Sequence, residues 1–302
     1  MDAPTISALA RRLGSVLEPV IGQVYFSPEC HANYVALGFD PSSGVAGGVA
    51  LPDGPAYFTS RGSVMGQVPG ELVAAAFAVF NPEVVVPCVS LGWTRTDAAT
   101  ICAARDDGAI AQLRRILGDR PAGLDRANDL LARAVGVLRP EGRPLFAGLL
   151  SQSVPDTDLG AMWRRGDMLR EYRGDSHTAA WVAAGFDATE IGLMSELYWG
   201  LPMRSYSRTR AWTDTQFDAA HARLQARGLL DHNGFTEVGR ATREAIEVHT
   251  DAQLLPAIDA LGDDIEELFA IMTPWGAAVR DGKGYLSSGP HDLASAATAA
   301  RP

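Results

Sequence analysis

The densest run of chemically capable side chains is Arg170-Glu171-Tyr172-Arg173-Gly174-Asp175-Ser176-His177. Arg170 and Arg173 are one helical turn apart, so both project to one side. Asp175 stands two residues before His177, near enough to orient an imidazole or share its proton. An Arg–Asp–His group beside Trp163 and Trp181 could hold an anionic ligand. It could also do general acid–base chemistry, with His177 and Asp175 as the catalytic pair. The competing reading is structural: Asp175 or Ser176 caps a helix, and the arginines pair with Glu171 and Asp167.

Arg61 and Arg208 each follow a serine in a loop before an Ala-rich helix. An arginine there suits a carboxylate or phosphate, because the free N–H groups of the helix start add to its field. The alternative is burial against carbonyls of the loop. Arg105, within Arg105-Asp106-Asp107, is a further ligand candidate, or one half of an ion pair inside a helix. Trp212 and Trp93 offer faces for a planar ligand, or simply core. The candidate ligand-binding set is therefore Arg61, Arg105, Arg170, Arg208 and Trp212.

Other chemistries find little support. His31, His221, His232 and His249 lack partners at metal-ligand spacing. Cys30, Cys88 and Cys102 are far apart and odd in number, which argues against a disulfide framework or a zinc site. No G-x-S-x-G elbow is present, and Gly44–Gly48 is not a dinucleotide fingerprint. Lys283 is the only lysine, so Schiff-base and phosphate-loop chemistry are set aside. No cofactor and no metal are expected.

The 302 residues carry a net charge of −10, with 47% apolar and 21% charged residues. Such a chain builds a sizeable core. The acidic balance counts against DNA as the main partner, although a local basic patch can act within an acidic whole. No apolar stretch reaches the length of a membrane span, and the charged N-terminus is unlike a signal peptide. A cytoplasmic protein is expected.

The elements that must position these residues are mostly helical. Helical spacing covers 6–24, 29–38, 72–80, 97–118 and 124–138. A short apolar segment follows at 145–150, and 161–172 is helical. Arg173-Gly174-Asp175 is read as a turn into a new helix at Ser176. Asp187–Tyr198 opens with a capping box of Asp187 and Glu190. The Gly/Ser/Pro-rich stretch 41–55 reads as a loop, and 253–272 as a final acidic helix or pair. Within Leu224–Asp251, His232-Asn233-Gly234 sits between two short apolar runs, which signals a β-hairpin. Thr236 then caps a further helix.

Tyr34–Asp40 matches Trp181–Asp187 at an offset of 147 residues. The same offset brings Ser60-Arg61 onto Ser207-Arg208 and Leu72–Phe77 onto Ala219–Leu224. Two related halves are expected, the first having lost its wing. The expected division is a degenerate winged-helix-like half with a helical bundle at 1–150, a winged-helix half at 151–280, and a disordered tail at 281–302.

As a DNA reader, the helix from Trp212 would enter a major groove with the hairpin on the backbone. Asp214 and Asp218 would then face a polyanion, which is repulsive. Gly200–Arg210 is short and turn-rich for a support helix, and the tip Asp231-His232-Asn233-Gly234 has no arginine. Arg204, Arg208 and Arg210 are the basic cluster in favour.

Leu224–Asp251 resembles the wing and flanking helices of MarR-type winged-helix proteins. SRGSVMG, FNP, AARD, GRPL, REYRGD-x-H and the wing together resemble an actinobacterial group of duplicated, distantly MarR-like helix-turn-helix proteins, over residues 5–280. The chain departs from that pattern at Ser63-Val64-Met65, where the group has a small residue, Pro and Leu. The resemblance implies a mainly α fold with a small β-wing, two related winged-helix-like halves packed together. It also implies a setting in specialised metabolism.

The expected function is binding of a small anionic or aromatic ligand between the halves, as an accessory protein or a cofactor-independent enzyme. The alternative is a ligand-responsive transcriptional regulator that binds DNA. A third candidate is an interaction module using the acidic segment Asp259–Glu267. MarR-like proteins are typically dimers, but an internal duplication replaces the second subunit, so a monomer is expected.

Overall fold

The computed structural model describes residues 2–287. Helix α1 (Ala3–Ile21) starts at Asp2, whose side chain accepts the Thr5 amide, and α2 (Pro28–Ala36) starts at Ser27 in the same way through Cys30. Strands β1 (Gly44–Ala46) and β2 (Val49–Leu51) form an antiparallel hairpin inside the stretch expected to be a loop. Gly47 and Gly48 form its two-residue turn with φ of +59° and +84°, a conformation that glycine adopts without steric cost.

Four helices follow: α3 (Gly54–Gly62), α4 (Gly70–Phe77), α5 (Pro82–Gly92) and α6 (Ala98–Leu117). The caps of α6 are those the sequence announces, Asp97 at its start and Gly118 at φ +81° at its end. Gly108 lets α6 lie directly on α2, since a Cβ there would stand 2.5 Å from the Cys30 Cα. After α7 (Leu124–Val135) and α8 (Pro144–Ser151) comes α9 (Asp158–Ala183).

Helix α9 is unbroken through Arg173-Gly174-Asp175, where a turn was expected. An interior glycine costs about 1 kcal/mol against alanine. Burial of Tyr172, Asp175 and Ser176 around it outweighs that. The remaining elements are α10 (Ala188–Tyr198), α11 (Asp214–Ala226), β3 (Leu230–Asp231), β4 (Gly234–Phe235), α12 (Glu237–Ala252), α13 (Leu255–Leu261) and α14 (Ile265–Asp281). Strands β3 and β4 pair antiparallel as the expected wing.

Two apolar cores result. The larger takes Leu13, Ile101, Leu113, Leu131, Phe146, Trp163, Leu169, Phe269 and Met272, and so draws on both sides of residue 150. The smaller holds the winged unit together through Trp181, Ile191, Met194, Phe217, Leu224, Leu230 and Ile246. Helix α9 serves both, its earlier turns in the first core and its end in the second.

At the 147-residue offset, the ends of α2 and α9 coincide and α4 falls within α11. The counterpart of α10, however, is the β1–β2 hairpin, and the counterpart of the wing lies in α5. The segment read as a tail from Asp281 begins in order: Tyr285 is buried, with its hydroxyl donating to Glu18 Oε1 at 2.8 Å. Residues 288–302 of that segment lie outside the described residues.

Candidate functional site

Arg61, in the last turn of α3, meets α9 at Glu171. Its Nε donates to Oε1 at 3.1 Å and its Nη2 to Oε2 at 2.8 Å, a two-pronged grip on one carboxylate. Arg170 Nη1 and the Tyr25 hydroxyl also donate to Oε1, at 2.9 and 3.1 Å. The other edge of Arg170 holds Glu18 of α1, with Nε at 2.9 Å and Nη2 at 3.3 Å. Arg61 Nη1 donates to the Tyr57 hydroxyl at 3.2 Å.

Burial alone would raise the Glu171 carboxyl, but the Arg61 and Arg170 guanidiniums override it and hold it down at about 2. Burial pushes the Tyr25 hydroxyl up, so it stays protonated and a donor. Rings enclose the cluster. The Tyr57 ring packs on Tyr25, Phe58, Phe77 and Phe80, and the Arg61 guanidinium lies 4.6 Å from the Phe77 ring centre. Tyr25, Tyr57, Arg61 and Arg170 are each half-buried, so the cluster opens to solvent.

The second candidate surface is the helix-turn-helix formed by α10 and α11. Helix α10 fills the support position that the turn-rich stretch 200–210 lacked. Glu196, fully buried, organises the connection by accepting the amides of Arg204 and Ser207, each at 2.6 Å. Helix α11 opens with a capping box of Thr213 and Gln216, turns Phe217, Ala220 and Leu224 inward, and exposes Asp214, Thr215, Asp218 and Ala222.

Two arginines of the basic cluster are spent on those acids, while Arg210 donates to the Tyr206 hydroxyl. Arg204 Nη2 reaches Asp218 at 2.6 Å and Arg208 Nη2 reaches Asp214 at 2.8 Å. Arg223 pairs with Asp187 and Glu190. The exposed face of α11 thus offers paired charges where phosphate contact needs free ones.

Among the residues marked by the sequence, Arg61 and Arg170 come together on Glu171. Arg105 is buried, donating to Asp167 Oδ2 at 2.7 Å with its guanidinium 4.9 Å from the Trp163 ring centre. Arg208 is exposed, on the short 3₁₀ turn 207–210. Trp212 packs on the smaller core and donates Nε1–H to the Val79 carbonyl at 2.9 Å.

Asp175 and His177 serve different neighbours, because residues two apart on a continuous helix face away from each other. Asp175 Oδ2 accepts the amides of Leu145 and Phe146, both at 3.0 Å, and so caps α8 from another helix. His177 Nδ1 lies 3.0 Å from the Thr250 hydroxyl on α12. The sequence reading missed Glu18, Tyr25 and Tyr57, which share no local motif with Arg61 or Arg170; its structural alternative did pair the arginines with Glu171, as Arg170 does here.

A capped helix, a turn, a second capped helix with one face exposed, and a two-stranded wing define a helix-turn-helix protein. Residues 10–286 match a helix-turn-helix family, and the chain belongs to it. Neither a curated protein nor a solved structure matches the chain. No described helix is long and apolar enough to cross a membrane.

Proposed function

We propose that this helix-turn-helix protein binds a small anionic, aromatic molecule where Tyr25, Tyr57, Arg61 and Arg170 meet, between its two halves. It would serve as an accessory protein or cofactor-independent enzyme of specialised metabolism. The observation that carries this reading is the half-buried arginine–tyrosine cluster around Glu171, with aromatic rings on one side and solvent on the other. Ligand sites combine an apolar wall with a few fixed polar groups in this way. The distant MarR likeness, the duplication and a single chain as the working unit belong to the same proposal.

The test is a thermal-shift screen of the full chain against aromatic carboxylates and phosphates, repeated with Tyr57→Phe, Arg170→Ala and His177→Ala. Stabilisation of the parent chain that is lost in Tyr57→Phe and Arg170→Ala supports the site. A role for His177 requires that its variant lose turnover while keeping its fold. Identical shifts in all four proteins would remove the site from this place.

The second reading is a ligand-responsive regulator, favoured by the exposure of α11 and the wing. It requires a salt-dependent shift of duplex DNA. A parent chain that shifts no duplex at low ionic strength excludes it.

A further inference from the structure

Helix α14 buries Leu268, Phe269, Met272 and Val279 in the larger core. A neighbouring face of the same helix is apolar too. Ala270, Pro274 and Ala278 are spaced four apart, so they form one stripe, and Ala270 and Pro274 are exposed. Opposite stand Ile116 and Leu117, at the end of α6, and the loop that follows. Gly123, at φ +86°, lets that loop close on α14: a Cβ there would stand 2.9 Å from Ile271 Cγ2. Ile116 is wedged against Gly284, where a Cβ would stand 3.0 Å from its Cδ1. Small side chains on one wall and large ones on the other leave a groove of about 640 Å³, a size that suits a small molecule.

Its chemistry is unlike that of the arginine–tyrosine cluster. Among the described residues, Glu267 is the only charged one that lines it, and Arg126 Nε donates to that carboxylate at 2.7 Å. A charged ligand finds no free counterion there. Trp275, only 5% exposed, also lines the groove. The indoles of Trp93, Trp163 and Trp212 each donate to a backbone carbonyl. That of Trp275 donates to no group among the described residues. Nor is its nitrogen sealed inside the protein, as Trp181 Nε1 is. The Trp275 N–H therefore opens to the groove that its ring lines.

We propose that this groove is a second ligand site, separate from the cluster around Glu171. Its ligand is an uncharged, mainly hydrocarbon molecule with one carbonyl group, which accepts the Trp275 Nε1–H. Covering Trp275 with a pure hydrocarbon would strip water from the N–H and put nothing in its place. A carboxylate would supply an acceptor, but would lose its own hydration beside Glu267 with no cation in return. A carbonyl on an alkyl chain meets both conditions.

The experiment is calorimetric titration of the full chain with methyl heptyl ketone and with nonanoate, joined to proton–nitrogen correlation spectra of the indole N–H groups. The ketone is expected to bind and to move the Trp275 signal downfield, the signal being identified by its loss in Trp275→Phe. Nonanoate should bind about 10-fold more weakly or less, since its charge must be desolvated. Trp275→Phe keeps an aromatic ring and removes the donor. It should weaken the ketone about 2- to 10-fold, the effect of one neutral hydrogen bond. Ala270→Glu sets a charge on the exposed wall, at a helical position that glutamate suits, and should abolish binding.

A ketone that does not bind, or whose binding Ala270→Glu leaves unchanged at a normal thermal midpoint, overturns the site. Nonanoate bound as tightly as the ketone overturns the uncharged assignment. An unmoved Trp275 signal, with equal ketone affinity in Trp275→Phe, overturns the hydrogen bond. Sedimentation in which the parent chain pairs at high concentration and Ala270→Glu stays single gives the groove to a second copy, and overturns the ligand. None of these results bears on the cluster around Glu171.

Discussion

Asp175 caps a helix to which it does not belong, and this gives a pH-dependent stability of predictable sign. Burial pushes its carboxyl from 3.8 up to about 7. The Phe146 and Leu145 amides and the Arg61 charge pull it down, and the Glu171 charge adds to the rise. An acid raised in the folded state binds its proton more tightly there than in the unfolded chain. Between about pH 4 and 7 the native protein therefore holds a proton that the unfolded chain has lost. Stability from this group is full below pH 4 and falls as pH rises towards 7. Each pH unit of that window is worth about 1.4 kcal/mol, so the whole carries on the order of 4 kcal/mol. Asp175→Asn keeps an oxygen that accepts both amides and removes the buried charge. The variant should match the parent at pH 5 and exceed it by about 2 kcal/mol at pH 8, once the weaker hydrogen bonds to a neutral acceptor are discounted. Urea denaturation of both proteins at pH 5, 6, 7 and 8 measures the difference, in which all other titrating groups cancel. Parallel pH profiles, or an Asn variant less stable at pH 8, would refute the reasoning.

Glu171→Gln leaves the Arg61 and Arg170 guanidiniums sharing a neutral amide, and should cost about 3–5 kcal/mol in urea denaturation. A loss under about 1 kcal/mol would show that the carboxylate charge is dispensable. Gly108→Ala drives a methyl group to 2.5 Å from the Cys30 Cα, a backbone atom that cannot turn aside. It should cost about 3 kcal/mol or more and lower the thermal midpoint sharply; a normal midpoint would mean that α6 and α2 separate easily. Asp214→Asn together with Asp218→Asn frees Arg208 and Arg204. Binding to random duplex DNA should then strengthen about 10-fold at low salt, with a log–log salt slope steeper by about 2. An unchanged slope would show that neither arginine reaches a phosphate.

Local signals were legible in the sequence wherever a cap or a turn residue carries its own chemistry. Asp97 and Gly118 bound α6, Asp187 and Glu190 close a capping box, and the His232-Asn233-Gly234 signal marks the wing, whose turn is His232-Asn233 with Gly234 already paired to Asp231. The first hairpin was missed although Gly47-Gly48 sits between two short apolar runs, because the serines and prolines around it read as loop. Gly174 misled in the opposite direction: its local propensity says turn, and packing of the helix on both cores says otherwise. Arg61 and Arg170 could be marked as candidates from type and position. Their partner Glu18 lies 152 residues from Arg170, and no spacing rule reaches that far. Arg210 was visible only as one of three arginines before α11. What separates it is the absence of a carboxylate partner among the described residues and the place of Phe80, both properties of the folded chain.

The winged unit and the helical body are joined by charge as much as by apolar contact. Arg173 of α9 reaches Glu247 and Asp251 of α12 at 2.6 and 3.1 Å. Arg11 of α1 reaches Asp251 at 2.7 Å and Glu244 at 2.8 Å, and Asp251 is fully buried. Buried ion pairs contribute little net stability, because desolvation offsets most of their attraction. Their geometry is nonetheless strict: a shift of α12 would strand the Asp251 carboxylate among apolar groups, at a cost of several kcal/mol. An interface built this way selects one pose more strongly than it stabilises it. The pose it selects places the Arg210 guanidinium over Phe80 and ties residues 210–212 to the turn at 79–81. The start of α11 is therefore fixed to the wall of the arginine–tyrosine cluster.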